Sequence, residues 1–209
     1  MAANETSRTA RRAAATRQSI IEAAEAILVA GGPTALTLEA VAERADVAVQ
    51  TVYNRVGGRS AVLVAVAERA FRENREYMDA AYATPGTPRE RILLAADAYA
   101  RFALERPHHF RLLAEPPADA GSPKGIADLV DEQNAKLTAA LRDGIADGSF
   151  DPDLDPRATA YALWAAMNGI LALSWRADRL RVDPQDMGAV LDTIVTVITR
   201  GLDARPTVH

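Results

Sequence analysis

The most informative absence from this chain is cysteine. None of its 209 residues is a cysteine, which excludes structural disulfides, thiolate zinc sites, iron–sulfur clusters and cysteine nucleophiles. Only three histidines are present. Two of them, His108 and His109, are neighbours that would point about 100° apart on a helix, so they cannot easily chelate one metal ion. We expect a helix that starts after Pro107, with one histidine facing solvent.

The chain also lacks an apolar run long enough to span a membrane. The longest run covers residues 161–175 and is interrupted by Asn168, whereas a membrane helix needs roughly 20 residues. Four arginines precede residue 18 with no apolar stretch after them, which is not the pattern of a secretory signal. We therefore expect a cytoplasmic protein that has no membrane partner.

Signatures of catalysis are missing as well. Asp151, Asp153 and Asp155 have the spacing of a calcium loop but lack its glycine and its terminal glutamate, and the neighbouring prolines favour turns and helix caps instead. No nucleophile elbow, phosphate loop or dinucleotide fingerprint is found. We expect no catalytic residue, no metal site and no cofactor.

Strand patterns are nearly absent, and apolar residues recur at helical spacing instead. With 49% apolar residues the chain can bury a real core. The pattern predicts an all-α fold, with a polar arm over residues 1–15 and a linker at 84–88. Helices are expected at about 16–30, 38–45, 49–56, 59–82, 87–105, 107–114, 124–147, 155–178 and 184–201.

Residues 38–56 have the pattern of a helix-turn-helix, in which two short helices cross steeply and the second enters the major groove. Leu38, Val41, Ala42 and Ala45 give the first helix one apolar face. Val47 would plug the core from the turn. The break at residues 31–33 ends the preceding helix, and Gly57-Gly58 ends the second short one.

The second short helix carries side chains suited to reading DNA. Gln50, Thr51 and Asn54 lie opposite its apolar face, and amides can bond adenine while a threonine methyl can meet thymine. Tyr53 and Arg59 flank the helix and could reach phosphates. The Thr37 hydroxyl and the free amides of the helix that it caps form another natural phosphate site. The alternative is that these are ordinary surface residues of a small helical domain.

Charge is distributed unevenly along the chain. Residues 1–60 hold seven basic and six acidic side chains, whereas residues 84–209 hold fourteen basic and eighteen acidic ones. A DNA-binding head on an acidic body has this distribution, although a solvated basic tail would have it too.

At these positions the chain resembles the tetracycline-repressor (TetR) family of transcriptional regulators. The resemblance is carried by residues 20–24, 31–42 and 45–63, and it covers about residues 16–65 closely. It implies that Thr37, Tyr53 and Arg59 contact phosphates, and that Gln50, Thr51 and Asn54 approach bases. It also implies that Arg17 reaches the DNA backbone.

Three positions depart from the family pattern. Ala48 stands where a capping Ser or Thr is usual, and the loss of such a cap costs about 1 kcal/mol. Val56 replaces an aromatic residue, which loosens the packing beneath the helices. Gln50 replaces a small residue and supplies a further base contact.

The resemblance implies that the rest of the chain is a helical bundle with a ligand site. The sequence supports this, because aromatic and polar residues interrupt apolar helix faces as they do in small-molecule sites. The candidates are Tyr99, Phe102, Phe110, Leu113, Gln133, Trp164, Met167 and Asn168. Aromatic residues at helical spacing also fit a plain core, and Gln133 and Asn168 could bond each other or a dimer partner.

The last helix is apolar on two neighbouring stripes, whereas packing within a single domain uses one. We expect Val190, Ile194, Val197 and Ile198 to form a two-fold dimer interface, as in the family, and burial within the monomer is the alternative.

The sequence therefore predicts a flexible arm at 1–15, a helix-turn-helix domain at 16–62, and a ligand-binding and dimerisation domain at 63–209, entered through a long helix. The expected function is that of a homodimeric repressor released from a palindromic operator by a small apolar effector. Two other functions stay open: a ligand-independent DNA-binding protein, and an enzyme with a vestigial head.

Overall fold

The computed structural model describes residues 2–115 and 124–203, with side chains given for residues 8–115 and 127–203. These ranges contain nine α-helices and, apart from an isolated bridge between Phe150 and Asp203, no strand pairing. The helices are α1 (Ala2–Ala35), α2 (Leu38–Arg44), α3 (Val49–Arg55), α4 (Arg59–Ala83), α5 (Pro88–Glu105), α6 (Pro107–Ala114), α7 (Lys124–Ala146), α8 (Pro156–Ala172) and α9 (Pro184–Leu202). The all-α prediction is confirmed.

Two helix boundaries differ from the sequence-based expectation. Helix α1 begins at Ala2 rather than near Thr16, because the alanines and arginines of the arm are strong helix formers. Helix α8 ends at Ala172 and continues only as a 3-10 turn, Leu173–Trp175, so it stops short of residue 178. Near the end of α1 the backbone breaks at Gly32, whose φ of 70° suits glycine.

The turn between α2 and α3 is built from local hydrogen bonds. The Thr37 hydroxyl accepts from the amide of Ala40 at 3.1 Å and caps α2. At the other end, the Val47 amide donates to the Ala42 carbonyl at 3.0 Å, and Asp46 takes a φ of 53°. Asp46 thus follows α2 in the left-handed (αL) backbone conformation, which often ends an α-helix. Aspartate is one of the few residues other than glycine that adopt this conformation.

The chain divides into two compact units, Met1–Phe71 with Glu115–Ile126, and Arg72–Ala114 with Ala127–His209. The division falls within α4, later than the expected boundary at residue 62. The reason is burial: the first turns of α4 contribute Val62, Leu63 and Val66 to the interior. The core of the first unit also contains Ile20, Ile21, Ala24, Leu28, Leu36, Val41, Ala42 and Val52. Val47 is half-buried.

The second unit contains two apolar clusters. One surrounds Leu141 and Phe150 and includes Ile92, Ala140, Ala160 and Leu202. The other consists of Met78, Ala81, Ala95 and Ala98. Two helices of the second unit begin at side-chain caps: Thr87 and Glu90 make a capping box on α5, and Asp155 accepts from the amide of Ala158 at 2.7 Å on α8.

The motifs that could suggest catalysis have structural roles. Asp151 accepts the amide of Asp153 at 2.9 Å within a turn, as the prolines indicated. His108 is exposed, whereas His109 is buried with its Nδ1 3.0 Å from Glu73. Across residues 2–115 and 124–203 no group of three or more potential ligands is arranged to hold a metal ion.

None of the described helices combines the length and the apolar character that a membrane span requires.

Gly144 is expected to be essential for packing in the second unit. A Cβ at Gly144 would lie 2.1 Å from Cδ2 of the buried Phe150 ring, whereas a Cβ at Gly188 meets nothing within 4 Å. Gly144→Ala should therefore lower the free energy of unfolding by about 1–3 kcal/mol. The control Gly188→Ala should raise it by roughly 0.5–1 kcal/mol. Urea unfolding checks both, and a Gly144→Ala protein as stable as the wild type would contradict the packing described.

Candidate functional site

Helix α3 presents one buried and one exposed face. Val52 is fully buried and packs α3 against the interior of the first unit. Gln50, Tyr53 and Asn54 are exposed, and Thr51 is half-buried. Tyr53 keeps 60% of its surface accessible, which is unusual for a large aromatic side chain. The structure thus brings four of the predicted DNA-contacting residues together on one solvent-facing surface.

Two amides on that surface are oriented by each other. The Gln50 Nε2 donates to the Asn54 Oδ1 at 3.0 Å, one helical turn away. This bond leaves the Gln50 oxygen and the Asn54 nitrogen, both on exposed side chains, available to another partner. An acceptor beside a donor is the pattern complementary to adenine N6 and N7 in the major groove.

Arg59 has a role that the sequence did not reveal. Its Nε donates to the Leu36 carbonyl at 2.9 Å and its Nη2 donates to the Pro33 carbonyl at 2.7 Å. The guanidinium therefore closes the loop between α1 and α2, and its contact with a DNA phosphate stays a prediction. Sequence reasoning missed the two hydrogen bonds because they span residues 23 and 26 positions apart.

Exposed arginines add positive charge to the first unit. Arg17 is exposed on α1, as are Arg44 and Arg55 in the last turns of α2 and α3. Arg44 and Arg55 were not among the predicted DNA contacts. Their position within the helix-turn-helix could have identified them as candidates. Arginines on these helices can bind phosphates without reading sequence.

In the second unit, Tyr99 and Asn168 meet directly. The Tyr99 hydroxyl donates to the Asn168 Oδ1 at 2.7 Å, so Asn168 pairs with α5 and not with Gln133. Burial raises the pKa of Tyr99 above its usual value. The phenol is therefore a neutral donor at physiological pH.

Edge-to-face contacts place the predicted residues Tyr99 and Phe110 in one group and Phe102 in another. The Tyr99 ring lies 5.3 Å from Phe110, which in turn lies 5.7 Å from Trp175. Phe102 packs instead against Tyr77, at 5.4 Å between ring centres. Phe102, Phe110, Leu113 and Met167 are all buried, so these four stabilise the core in addition to any contact with a ligand.

Helix α9 divides the predicted interface residues. Val197 is 58% exposed, whereas Val190 and Ile194 are half-buried. Ile198 packs against the cluster around Leu141 and Phe150, so it belongs to the core of its own chain. The two stripes of α9 thus separate into one that faces the interior, with Met187 and Leu202, and one that reaches the surface.

A capped helix, a tight left-handed turn and a second helix with a polar outer face together define a helix-turn-helix regulator. Comparison with known families agrees. Residues 20–66 match the model for bacterial regulatory proteins of the tetR family, and residues 92–198 match the model for a tetracyclin repressor-like C-terminal domain. The chain belongs to the TetR family, and this confirms the sequence-based prediction.

One curated relative is similar to part of the chain. The chain is 40% identical over 76 residues to the HTH-type transcriptional repressor KstR of Mycolicibacterium smegmatis, an alignment that covers 36% of this chain and 37% of the relative. The match thus spans little more than a third of that curated protein.

Solved structures share the fold over most of the chain. A TetR/AcrR-family regulator from Thermobifida fusca covers 88% of this chain and 97% of its own, with a TM-score of 0.68 and 21% identity. FadR from Bacillus subtilis in complex with stearoyl-CoA covers 88% and 98%, with a TM-score of 0.74 and 16% identity.

The uncapped start of α3 generates a prediction. Ala48 occupies the N-cap position in an extended conformation with no side-chain hydrogen bond. Ala48→Ser supplies an acceptor for a first-turn amide and should stabilise α3 by about 1 kcal/mol. Slower amide hydrogen exchange in α3 of the full chain is the readout. Ala48→Val, which has no acceptor, is the control, and equal exchange in the two variants would show that the helix is ordered by other means.

Proposed function

We propose that this protein is a homodimeric, sequence-specific repressor that leaves its operator when a small, mainly apolar effector binds the second unit. The single observation that carries the DNA half is the outer face of α3. Its paired Gln50 and Asn54 amides present an acceptor and a donor side by side, with the exposed Tyr53 next to them. Base edges are read by groups of this kind.

Phosphate contacts come from the surroundings of that face. The capped start of α2 at Thr37 offers free amides and the positive end of a helix dipole. Arg17, Arg44 and Arg55 add exposed positive charge. These groups supply affinity and register, while α3 supplies specificity.

The effector half is supported by the polar groups inside the second unit. Tyr99, Trp164 and Asn168 form a hydrogen-bonded group beside the Phe110 and Trp175 rings. A few polar groups among apolar walls are typical of small-molecule sites. The neighbour FadR was solved with stearoyl-CoA, which is consistent with a mainly apolar effector here.

The decisive experiment is a selection from a random duplex library with the purified full chain at near-physiological salt. We expect a palindrome whose half-sites are one helical turn, about 34–36 Å, apart. An enriched site would then serve as the probe for effector-induced release. No enrichment, even after unfolding, dialysis and refolding to remove bound ligand, would reject the proposal.

Asn54 and Tyr53 should differ in how they affect DNA binding. Asn54→Ala should cost about 1–3 kcal/mol on the selected operator and relax preference at one base pair. Tyr53→Phe should weaken binding on all sequences alike, since a phosphate contact carries no sequence information. Fluorescence anisotropy with the operator and a scrambled duplex measures both, with Gln185→Ala on α9 as the control. If Asn54→Ala weakens the scrambled duplex equally, α3 does not read bases.

The dimer generates a second prediction. Val197→Glu places a charge on the exposed apolar stripe of α9 and should convert dimer to monomer, because an unpaired charge is costly in an interface. Sedimentation velocity measures the change. Thr196→Glu, on an exposed position about 100° around the helix, is the matched control. A Val197→Glu protein that remains dimeric would place the interface elsewhere.

A further inference from the structure

Two side-chain amides of the second unit are buried without a hydrogen-bond partner among the described residues. Asn74 on α4 is only 4% exposed, and its Nδ2 is unpaired. Gln133 on α7 has both its Oε1 and its Nε2 buried and unpaired. Burying an amide without a partner costs folding free energy. A bound molecule that supplies the missing partner is one explanation for such groups. Asn74 was not among the sequence-based candidates.

Ion pairs join the segments of α4 and α7 that carry the two amides. Arg75 lies 3.5 Å from Glu132, and Lys136 pairs with both Asp79 and Glu132. These pairs hold α4 and α7 side by side. Asn74 immediately precedes Arg75, and Gln133 immediately follows Glu132. The partly exposed ion pairs thus lie towards solvent, while the adjacent amides are buried.

The neighbours of the amides on each helix are apolar. One turn after Asn74, Met78 belongs to the buried cluster against which Tyr99 packs. One turn after Gln133, Leu137 packs against the cluster around Leu141 and Phe150. A molecule that reached both amides would therefore be surrounded mainly by apolar side chains.

The charges at this level are already compensated. Arg75, Asp79, Glu132 and Lys136 pair with one another, and Glu73 binds Arg106 at 2.7 Å and His109 at 3.0 Å. An ionised ligand group placed between the amides would find no free counter-charge, and burying a lone charge is expensive. A neutral oxygen can instead accept from either amide nitrogen, and a hydroxyl can also donate to the Gln133 oxygen.

We propose that Asn74 and Gln133 bind the neutral oxygen function, a ketone or an alcohol, of an uncharged and mainly apolar effector. This inference rests on the proposed function, because it identifies the chemical class of molecule that the second unit senses. In this site, Asn74 on α4 donates a hydrogen bond to the ligand oxygen, and Gln133 on α7 supplies the second amide.

The first test needs no ligand. Gln133→Met keeps length and helix propensity but removes the unpaired amide. The melting temperature of the purified full chain should rise by roughly 2–4 °C. Gln185→Met, at an exposed position on α9, is the matched control and should not produce this rise. A melting temperature of Gln133→Met equal to or below that of wild type would show that the amide is satisfied, and would overturn the site.

The second test uses four probes on one apolar frame: 2-decalone, decahydro-2-naphthol, decahydronaphthalene-2-carboxylate and decahydro-2-naphthylamine. The ketone and the alcohol should raise the melting temperature of the wild type, and Asn74→Leu and Gln133→Met should each abolish the rise. The charged probes should have little effect at neutral pH. Equal stabilisation by the carboxylate or the amine, binding that survives both substitutions, or no binding by either neutral probe would overturn the ligand class.

These outcomes are separable from those of the proposed function. A wild-type chain that selects an operator but fails the melting tests retains its regulatory assignment and loses only this site. A chain that selects no operator but passes them has a ligand site without a regulatory role.

Discussion

The structure depends on one helix that must be buried in two interiors. Helix α4 contributes Val62 and Val66 to the buried residues of the first unit, and Met78 and Ala81 to those of the second. Because an α-helix is rigid over these turns, a rotation or shift of α4 changes both sets of contacts. In the proposed function, a shift of α4 between two packed arrangements is the step that links effector binding to release from the operator. Helix α4 is one of the covalent connections between the units, and the chain also passes from one to the other at residues 114–115 and 126–127.

Helix caps and helix breaks could be predicted from the sequence, whereas hydrogen bonds between residues far apart in the sequence could not. The Thr37 and Asp155 caps and the break at Gly32 follow from residue types within one turn, and they were predicted correctly. The fold class followed from helical periodicity. The hydrogen bonds of Arg59 were not predicted, because its partners, Pro33 and Leu36, lie far from it in the sequence. A flexible cationic side chain beside a DNA-reading motif gives no sign of which oxygen it will bind.

The interior of the second unit shows the same limit. Gln133 stood out because an amide on an apolar stripe breaks the helical pattern. Asn74 did not, since its neighbours on α4 include many polar residues and its inward direction depends on the register with α7. Asn168 was a sound candidate, but its partner Tyr99 lies on another helix 69 positions away. Periodicity indicates which face of a helix is buried. Which side chain of another helix it meets there is decided only by tertiary packing.

Two features leave polar groups without a hydrogen-bond partner, which a bound ligand could supply. Helix α3 begins at Ala48 without a side-chain cap, and Asn74 and Gln133 bury amide groups that find no partner among the described residues. DNA phosphates can satisfy the first, and an effector oxygen can satisfy the second. A ligand shifts an equilibrium only by its differential affinity for the two states, and coupling between two sites is reciprocal. If the arrangement of α4 that suits DNA separates the two amides, the effector must weaken operator binding by the same factor as DNA weakens effector binding. Equal factors follow from linkage whichever element carries the coupling, so they establish coupling between the two sites, and substitutions in α4 that change both factors together would identify the helix as its carrier.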